Sequence, residues 1–261
     1  MIQNSPGPRA TEGGAVPNTD DRSPPTGILG DQHVQSEVLE GLAMAKNHRR
    51  WFVAFATPYL GDDPIEVSAG LGDYAAEWLE HAPRMTLTEA DPGRLLALKE
   101  RFSANPGVTV RELMLPSDEA GGHSAAVSYN VLEHIEDDIG ALRTMRSLVR
   151  PGGHVVVVVP AFPFAMGPAD VATGHVRRYT RKTMRVALTR AGLEIEKLHY
   201  ANSLGLIGYY VSTCLLRQLP GPGPMVKFYD STVAPVTRLM ERVVRPPFGQ
   251  SVIAIARRPV N

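Results

Sequence analysis

A single cysteine, Cys214, occurs in the 261 residues. That excludes an internal disulfide framework, fits a reducing and therefore cytoplasmic setting, and leaves Cys214 to be read as a packing residue. No Cys/His cluster with the spacing of a structural zinc site is present, so no metal is expected. Charge of one sign is missing too. Lys plus Arg and Asp plus Glu number 27 each, which leaves no net field to gather nucleic acid or an anionic membrane. Nor does any apolar run reach bilayer length. The longest, Leu204 to Leu216, contains Ser212 and Thr213 and reads as a buried or cleft-lining helix. The expectation is a soluble protein without stable membrane insertion. Residues 1–30 are rich in Pro, Gly, Ser, Asn, Thr and Asp, lack the charged-then-apolar order of a signal peptide, and read as a mobile tail. No internal repeat is evident, which disfavours solenoids and propellers.

What the chain does have is enough apolar residue, 43%, to build one substantial α/β core. Its most informative stretch is Glu66-Val67-Ser68-Ala69-Gly70-Leu71-Gly72-Asp73, placed after Ile65 and followed about twenty residues later by Glu89. A turn of small residues lets backbone approach a bound nucleoside, since longer side chains would clash, and glycine reaches the positive φ such turns use. The distal carboxylate supplies an acceptor for ribose hydroxyls.

Around this turn the strand-helix order is regular. Pro64 to Val67 reads as strand one, Tyr74 to Leu79 as a helix, and Met85 to Thr88 as strand two ending at Glu89. Asp91-Pro92 opens a helix with an acidic cap, its inner face given by Leu95, Leu96 and Leu98. Val108 to Val110 and Ala125 to Tyr129 follow as strands three and four. Ile139 to Leu148 is a helix stopped by Arg150-Pro151-Gly152-Gly153, and the valine run His154 to Val159 is a strand covered on both faces. Arg181 to Ala191 is helical and ends at Gly192. Leu193 to His199 and Ser251 to Ala256 complete seven strands. Such alternation implies a Rossmann-like, mostly parallel seven-stranded sheet with helices on both faces.

Glu66 to Asp73, Glu89, Tyr129-Asn130-Val131-Leu132-Glu133-His134-Ile135 and Leu148-Val149-Arg150-Pro151-Gly152-Gly153 together resemble the class I S-adenosylmethionine-dependent methyltransferases. The resemblance covers roughly residues 40 to 200, with the motifs in the expected order. Gly174-His175-Val176-Arg177-Arg178-Tyr179-Thr180 looks like a motif of one bacterial small-molecule subgroup. The resemblance implies S-adenosyl-L-methionine as cofactor. Glu66 would anchor strand one and contact the methionine part indirectly. Ser68, Ala69, Gly70 and Gly72 would form the turn, Glu89 with Ala90 beside it would meet the ribose, and Asn130 and Val131 would line the floor. Two positions depart from the family pattern: Ser68 stands where a first glycine is usual, and Met114 stands near the position of an aspartate that often touches adenine. Apolar walls and backbone groups such as that of Leu115 can hold adenine instead.

Methyl transfer dictates few side chains, because the sulfonium already carries a good leaving group and the protein has mainly to align the acceptor and exclude water. The acceptor-side cluster is Phe162, Phe164, His175, Arg177, Arg178 and Tyr179, after strand five at the carboxyl edge of the sheet. His175 and Tyr179 are the candidate catalytic groups, as base or proton donor. Phe162, Arg177, Arg178 and Tyr129 are the candidate substrate contacts, the arginines offering a forked grip on an anionic end. The alternative for the same segment is a structural one, with both arginines on a solvated loop, Tyr179 packed beneath it and His175 capping a carbonyl. His134 reads as architecture beside the cofactor turn.

Residues 31–58 are expected to form an N-terminal helical lid, with Leu39 to Phe55 helical, ahead of a methyltransferase domain over residues 59–261. Ala201 to Gly249 forms an insertion before the last strand. Its Leu204, Leu206, Ile207, Tyr209, Tyr210, Leu215 and Leu216 would wall an apolar pocket, form a homodimer contact or simply pack. The leading reading is methylation of a small, partly apolar metabolite, a specialised metabolite or isoprenoid, with an isoprenyl diphosphate carbon as one acceptor. O-methylation of a phenolic or sugar-like acceptor is equally compatible. Nucleic-acid amino-methylation is disfavoured, since no Asn/Asp-Pro-Pro-aromatic motif follows strand four. A nicotinamide oxidoreductase lacks its full glycine fingerprint here, and a noncatalytic binding partner that keeps the fold is the reading from another class.

Overall fold

The computed structural model describes residues 44–218 and 222–260, together with Met1. Apart from Met1 the expected tail, together with the first part of the expected lid helix and the first half of the 219–224 breaker segment, lies outside the described residues. Seven strands form one sheet in the order β3-β2-β1-β4-β5-β7-β6, where β1 is Ile65–Glu66, β2 Met85–Glu89, β3 Val108–Glu112, β4 His123–Tyr129, β5 Val149–Pro160, β6 Glu194–Ala201 and β7 Ser251–Arg257. β3 to β5 run parallel, and β7 lies antiparallel between β5 and β6. The chain leaves β1 toward β2 and β3, then returns to place β4 on the other side. The crevice between β1 and β4 is therefore the topological switch point at which open α/β sheets bind ligands.

The valines of β5 show why the sheet is covered twice. Val155, Val157 and Val159 join one core with Leu142, Met145 and Met184, while Val156 and Val158 join a second core with Phe52, Trp78 and Leu98. Strand side chains alternate faces, so an unbroken apolar run must find a cover on each side. Helices α1 (Lys46–Ala56), α2 (Asp73–Trp78) and α3 (Pro92–Phe102) build the second core, and α4 (Asp138–Leu148) and α6 (Arg181–Arg190) the first. A short α5 (Pro168–Thr173) lies between β5 and α6.

Two local expectations change. The Asp91 side chain does accept from Arg94 N at 2.8 Å and caps α3, but its inner face is Leu98 and Phe102, with Leu96 69% exposed. A stripe spaced by four residues outranks a run of adjacent leucines, because neighbours in sequence point about 100° apart around a helix. The Arg150-Pro151-Gly152-Gly153 segment lies inside β5, whose pairing begins at Val149, with Gly152 at φ 78. There Gly152 N donates to Arg258 O and Arg258 N to Gly153 O, so the segment extends the β5–β7 pairing past Arg257.

The insertion folds as α7 (Ser203–Tyr209) with a π-helical turn over Tyr210–Leu215, α8 (Pro224–Phe228) with a second such turn over Tyr229–Val233, and α9 (Ala234–Val243). It reaches back to the N-terminal helix through one buried carboxylate. Asp230 accepts from Asn47 N at 3.1 Å and His48 N at 2.9 Å, supplying from across the chain the cap that α1 lacks locally. Glu241 adds to the local Asn202 cap of α7, accepting from Asn202 N and Ser203 N. The described part of the expected lid is thus fastened, with Trp78 Nε1 donating to Val53 O and the Tyr129 hydroxyl to Phe52 O as further ties.

Asp230→Ala is expected to cost about 1–2 kcal/mol of stability, the loss of a charged cap that leaves two part-buried N–H groups without it; an unchanged urea midpoint would contradict the capping role. Two histidines add a pH dependence. Burial lowers His48 to about 4 despite Asp230, and lowers His199 to about 4 with help from Arg245, Lys197 and Arg181. The unfolded chain binds these protons near the ordinary value of 6.5, so stability is full above that pH and falls as pH drops toward 4. Urea midpoints at about pH 7.5 and about pH 5 should differ, with the acid sample less stable.

Candidate active site

At the switch point β1 ends at Glu66, β2 at Glu89 and β4 at Tyr129, so three strand ends converge on one turn. Val67 N donates to Val127 O at 2.8 Å and Ala69 N to Thr88 O at 2.7 Å, carrying the ladder past β1 on both sides. The chain then reverses with positive φ at Ser68 (57), Gly70 (59) and Gly72 (78). Gly72 is dictated by packing, since a Cβ there would lie 2.5 Å from the Phe102 ring and 2.8 Å from Leu98. Ser68 tolerates the left-handed region at a cost of about 1–2 kcal/mol, so the departure from glycine is accommodated in the backbone without moving the turn.

Glu89 holds the turn in place. Its Oε2 accepts from Gly70 N at 2.8 Å, and Oε1 accepts from Ala90 N at 2.9 Å and Asp91 N at 3.0 Å. A carboxylate offers about four acceptor positions, so capacity remains for a hydroxyl donor. Glu66 is the opposite case. It is buried, its Oε2 has no partner, and burial, reinforced by the nearby Glu89 and Asp73, pushes its carboxyl well above the usual range. An orphaned acceptor at the end of β1 is a place that a ligand's donor, directly or through water, would satisfy. Ala69 is buried and Ala90 half-buried beside these groups. On the far wall Asn130 is exposed at φ 55 with its N–H on Val158 O, Val131 is half-buried, Leu115 is buried, and Met114 points outward, 48% exposed.

The acceptor-side segment is organised by a residue the sequence reading missed. Asp170, fully buried in α5, accepts at Oδ1 from His175 Nδ1 (2.6 Å) and Arg178 Nε (2.8 Å). Its Oδ2 accepts from Gly167 N (2.8 Å), Arg178 Nη2 (3.1 Å) and the Tyr209 hydroxyl (2.8 Å). Burial alone would raise this carboxyl, but the His175 and Arg178 hydrogen bonds outweigh it and hold Asp170 well below the usual range. The Arg178 guanidinium also lies over the Tyr209 ring, 4.5 Å from its centroid. The available sequence signal was the acidic residue preceding His175 and Arg178 inside one short segment.

The predicted residues therefore divide. His175 faces Glu133 and His134, with the two imidazoles edge-to-face at 4.7 Å. Burial drives Glu133 up to about 7, against the attraction of His175, and lowers His134 to about 4. Arg178 is buried on Asp170. Arg177 pairs with Asp138 at 2.9 Å and donates to Glu136 O, and the Tyr179 hydroxyl donates to the same Asp138 at 2.8 Å. Burial and Asp138 raise the Tyr179 phenol far above its ordinary value, which suits a hydrogen-bond donor and opposes a phenolate. Phe162 sits at φ 63, stacked on Tyr200 at 4.6 Å, and Phe164 beside it is exposed. Tyr129 is buried against Tyr74 and Trp78.

The methyltransferase-domain family matches residues 44–198, more than half of the chain. The chain belongs to the class I S-adenosylmethionine-dependent methyltransferases. No curated protein matches it in sequence. Among solved structures, an S-adenosylmethionine-dependent methyltransferase from Mesorhizobium loti superposes with TM-score 0.52 at 19% identity, covering 77% of this chain and 93% of that one. A methyltransferase described as putative, from Bacillus halodurans, gives 0.55 at 13% over 79% and 98%. A geranyl diphosphate methyltransferase solved with GPP and sinefungin gives 0.55 at 13% over 79% and 76%. At these identities the structural likeness speaks for the fold.

As a methyltransferase the chain uses S-adenosylmethionine, and the turn brings together an unpartnered carboxyl oxygen in Glu66, spare acceptor capacity on Glu89, and a small-residue backbone between them. Ser68→Gly should relieve left-handed strain and raise stability by up to about 1 kcal/mol, with cofactor affinity unchanged. Thermal denaturation read beside a cofactor titration checks both; a destabilised variant would mean that the serine side chain does something the turn requires.

Proposed function

We propose that this methyltransferase acts on a small molecule with a substantial apolar body that presents an oxygen nucleophile to the cofactor's methyl group. The observation that carries the reading is the aromatic ledge after β5. Phe162 is held at positive φ, a conformation a bulky side chain adopts only under constraint. Its ring continues through Phe164 at 5.2 Å to Tyr210 of the insertion at 5.8 Å. A specialised metabolite or isoprenoid suits that surface. Asn130, Val131, Leu115 and the turn from Ser68 to Gly72 take the cofactor side, with His175 on the acceptor side.

Methylation of an isoprenyl diphosphate carbon is the second reading, supported by the likeness to the geranyl diphosphate methyltransferase. It drew its motive from Arg177 and Arg178, and both are now engaged, one by Asp138 and Glu136 O, the other by buried Asp170. A diphosphate would have to displace those carboxylates, so oxygen acceptors such as phenols are favoured. The apolar side chains of α9, with Leu239 and Val243 exposed, support pairing of two copies, and a cytoplasmic setting belongs to the same reading.

A panel of phenolic, prenyl-alcohol and prenyl-diphosphate acceptors with radiolabelled cofactor tests the proposal. Label should pass to apolar hydroxyl acceptors, and Phe162→Ala should lower kcat/KM for them by roughly tenfold, about 1.4 kcal/mol, while cofactor affinity holds. Transfer confined to diphosphates would reverse the order of the two readings.

A further inference from the structure

Glu133 is fully buried in the turn that follows β4, and neither of its carboxylate oxygens receives a hydrogen bond. His175 Nε2 is the nearest ionic partner at 3.9 Å, beyond hydrogen-bond range. A buried carboxylate left in this state is costly, and its neighbours are set up in a particular way. Asp170 fixes His175 through Nδ1. His175 thereby has Nδ1 committed to Asp170, which leaves Nε2 facing Glu133. One ring nitrogen from each and one Glu133 oxygen all lie within 4.8 Å of one another.

We propose that Glu133, His134 and His175 are the protein ligands of a divalent transition-metal ion. Two imidazoles and a carboxylate are the donor set of zinc and its neighbours in the first transition row, and such sites keep open positions when the protein supplies three ligands. Asp170 completes the arrangement as the outer carboxylate that orients His175 and raises its basicity. It is itself anchored by Arg178, Tyr209 and Gly167 N, so His175 is held firmly. Donors about 2.1 Å from one ion are at most about 4.2 Å apart, so closure on the ion asks for side-chain movement of under about 1 Å. The ion would neutralise the one charge in the cluster that no protein group satisfies.

No metal is expected from sequence, since the chain lacks ligands at short regular spacing. Here they come from two segments that meet only in the fold, the end of β4 and the loop after α5. Glu133 and His134 follow directly on Asn130 and Val131, so the open positions serve a donor arriving at the carboxyl edge of β4. An oxygen of the methyl acceptor is the donor we assign to them; that role rests on the methyl-transfer reading, whereas the ion site stands on its own residues.

The test uses the full chain, stripped with chelator and titrated by equilibrium dialysis with zinc, and with cobalt(II) as an optical probe. One ion per chain is expected, with cobalt visible bands typical of a low-coordinate nitrogen and oxygen site. Glu133→Gln, which keeps the side-chain shape, and His175→Ala should each weaken binding at least tenfold. Calorimetry with S-adenosylhomocysteine on the same samples keeps the two readings apart. Absence of stoichiometric binding by the folded wild type, or binding untouched by both substitutions, overturns the ion site and leaves the cofactor reading standing. Failure to bind the nucleoside with ion binding intact does the reverse.

Discussion

The Glu89 carboxylate, taking three backbone N–H groups, is the interaction on which the turn after β1 depends. It ties the Gly70 turn, which belongs to β1, to the first residues after β2. Two strand ends that could otherwise splay are fixed at hydrogen-bond distance. The N–H groups of Ala90 and Asp91 lie just ahead of α3, so the same carboxylate also meets the positive end of that helix. A residue assigned to a ligand is thus already structural, and its spare acceptor capacity presents itself at a fixed position.

Buried carboxylates sort into two kinds in this molecule. Glu89, Asp170 and Asp230 each collect several donors and act as fasteners, joining turn to strand, loop to insertion, and insertion to N-terminal helix. Glu66 and Glu133 have buried oxygens with none. Both unsatisfied groups lie at carboxyl ends of neighbouring strands, β1 and β4, flanking the switch point. An unsatisfied buried carboxylate is destabilising; finding two at the one crevice where the topology binds ligands is the pattern expected when bound groups complete the hydrogen bonding. The fasteners hold the frame and the orphans mark where chemistry enters it.

Much of the frame was legible in the sequence because it is local or periodic. The glycine turn, the Asp91 cap, the Gly192 stop and the doubly covered valine strand each depend on a few neighbouring residues. The place of β7 between β5 and β6 was not legible, since antiparallel insertion of a last strand leaves no signature in its own alternation. Nor was Asp170. A lone acidic residue in an irregular segment becomes a hub only when Tyr209, from beyond β6, folds back onto it. Arg178 reads as a substrate contact or a solvated loop residue because its type is polar, whereas Asp170 turns it inward; Tyr179 is packed beneath the loop, as the structural alternative has it, with its hydroxyl on Asp138. The Glu133, His134 and His175 group shows the same limit, being assembled by tertiary contact across two motifs that were read separately.

Calorimetric titration with S-adenosylhomocysteine of the wild type beside Glu89→Ala tests the central claim most directly. Binding by the wild type that falls at least tenfold in the variant, with the variant still folded by circular dichroism, is the predicted result. Undiminished affinity in Glu89→Ala, or no binding by the folded wild type, would contradict the assignment of the Glu66 to Gly72 turn and its carboxylate clamp as the cofactor site.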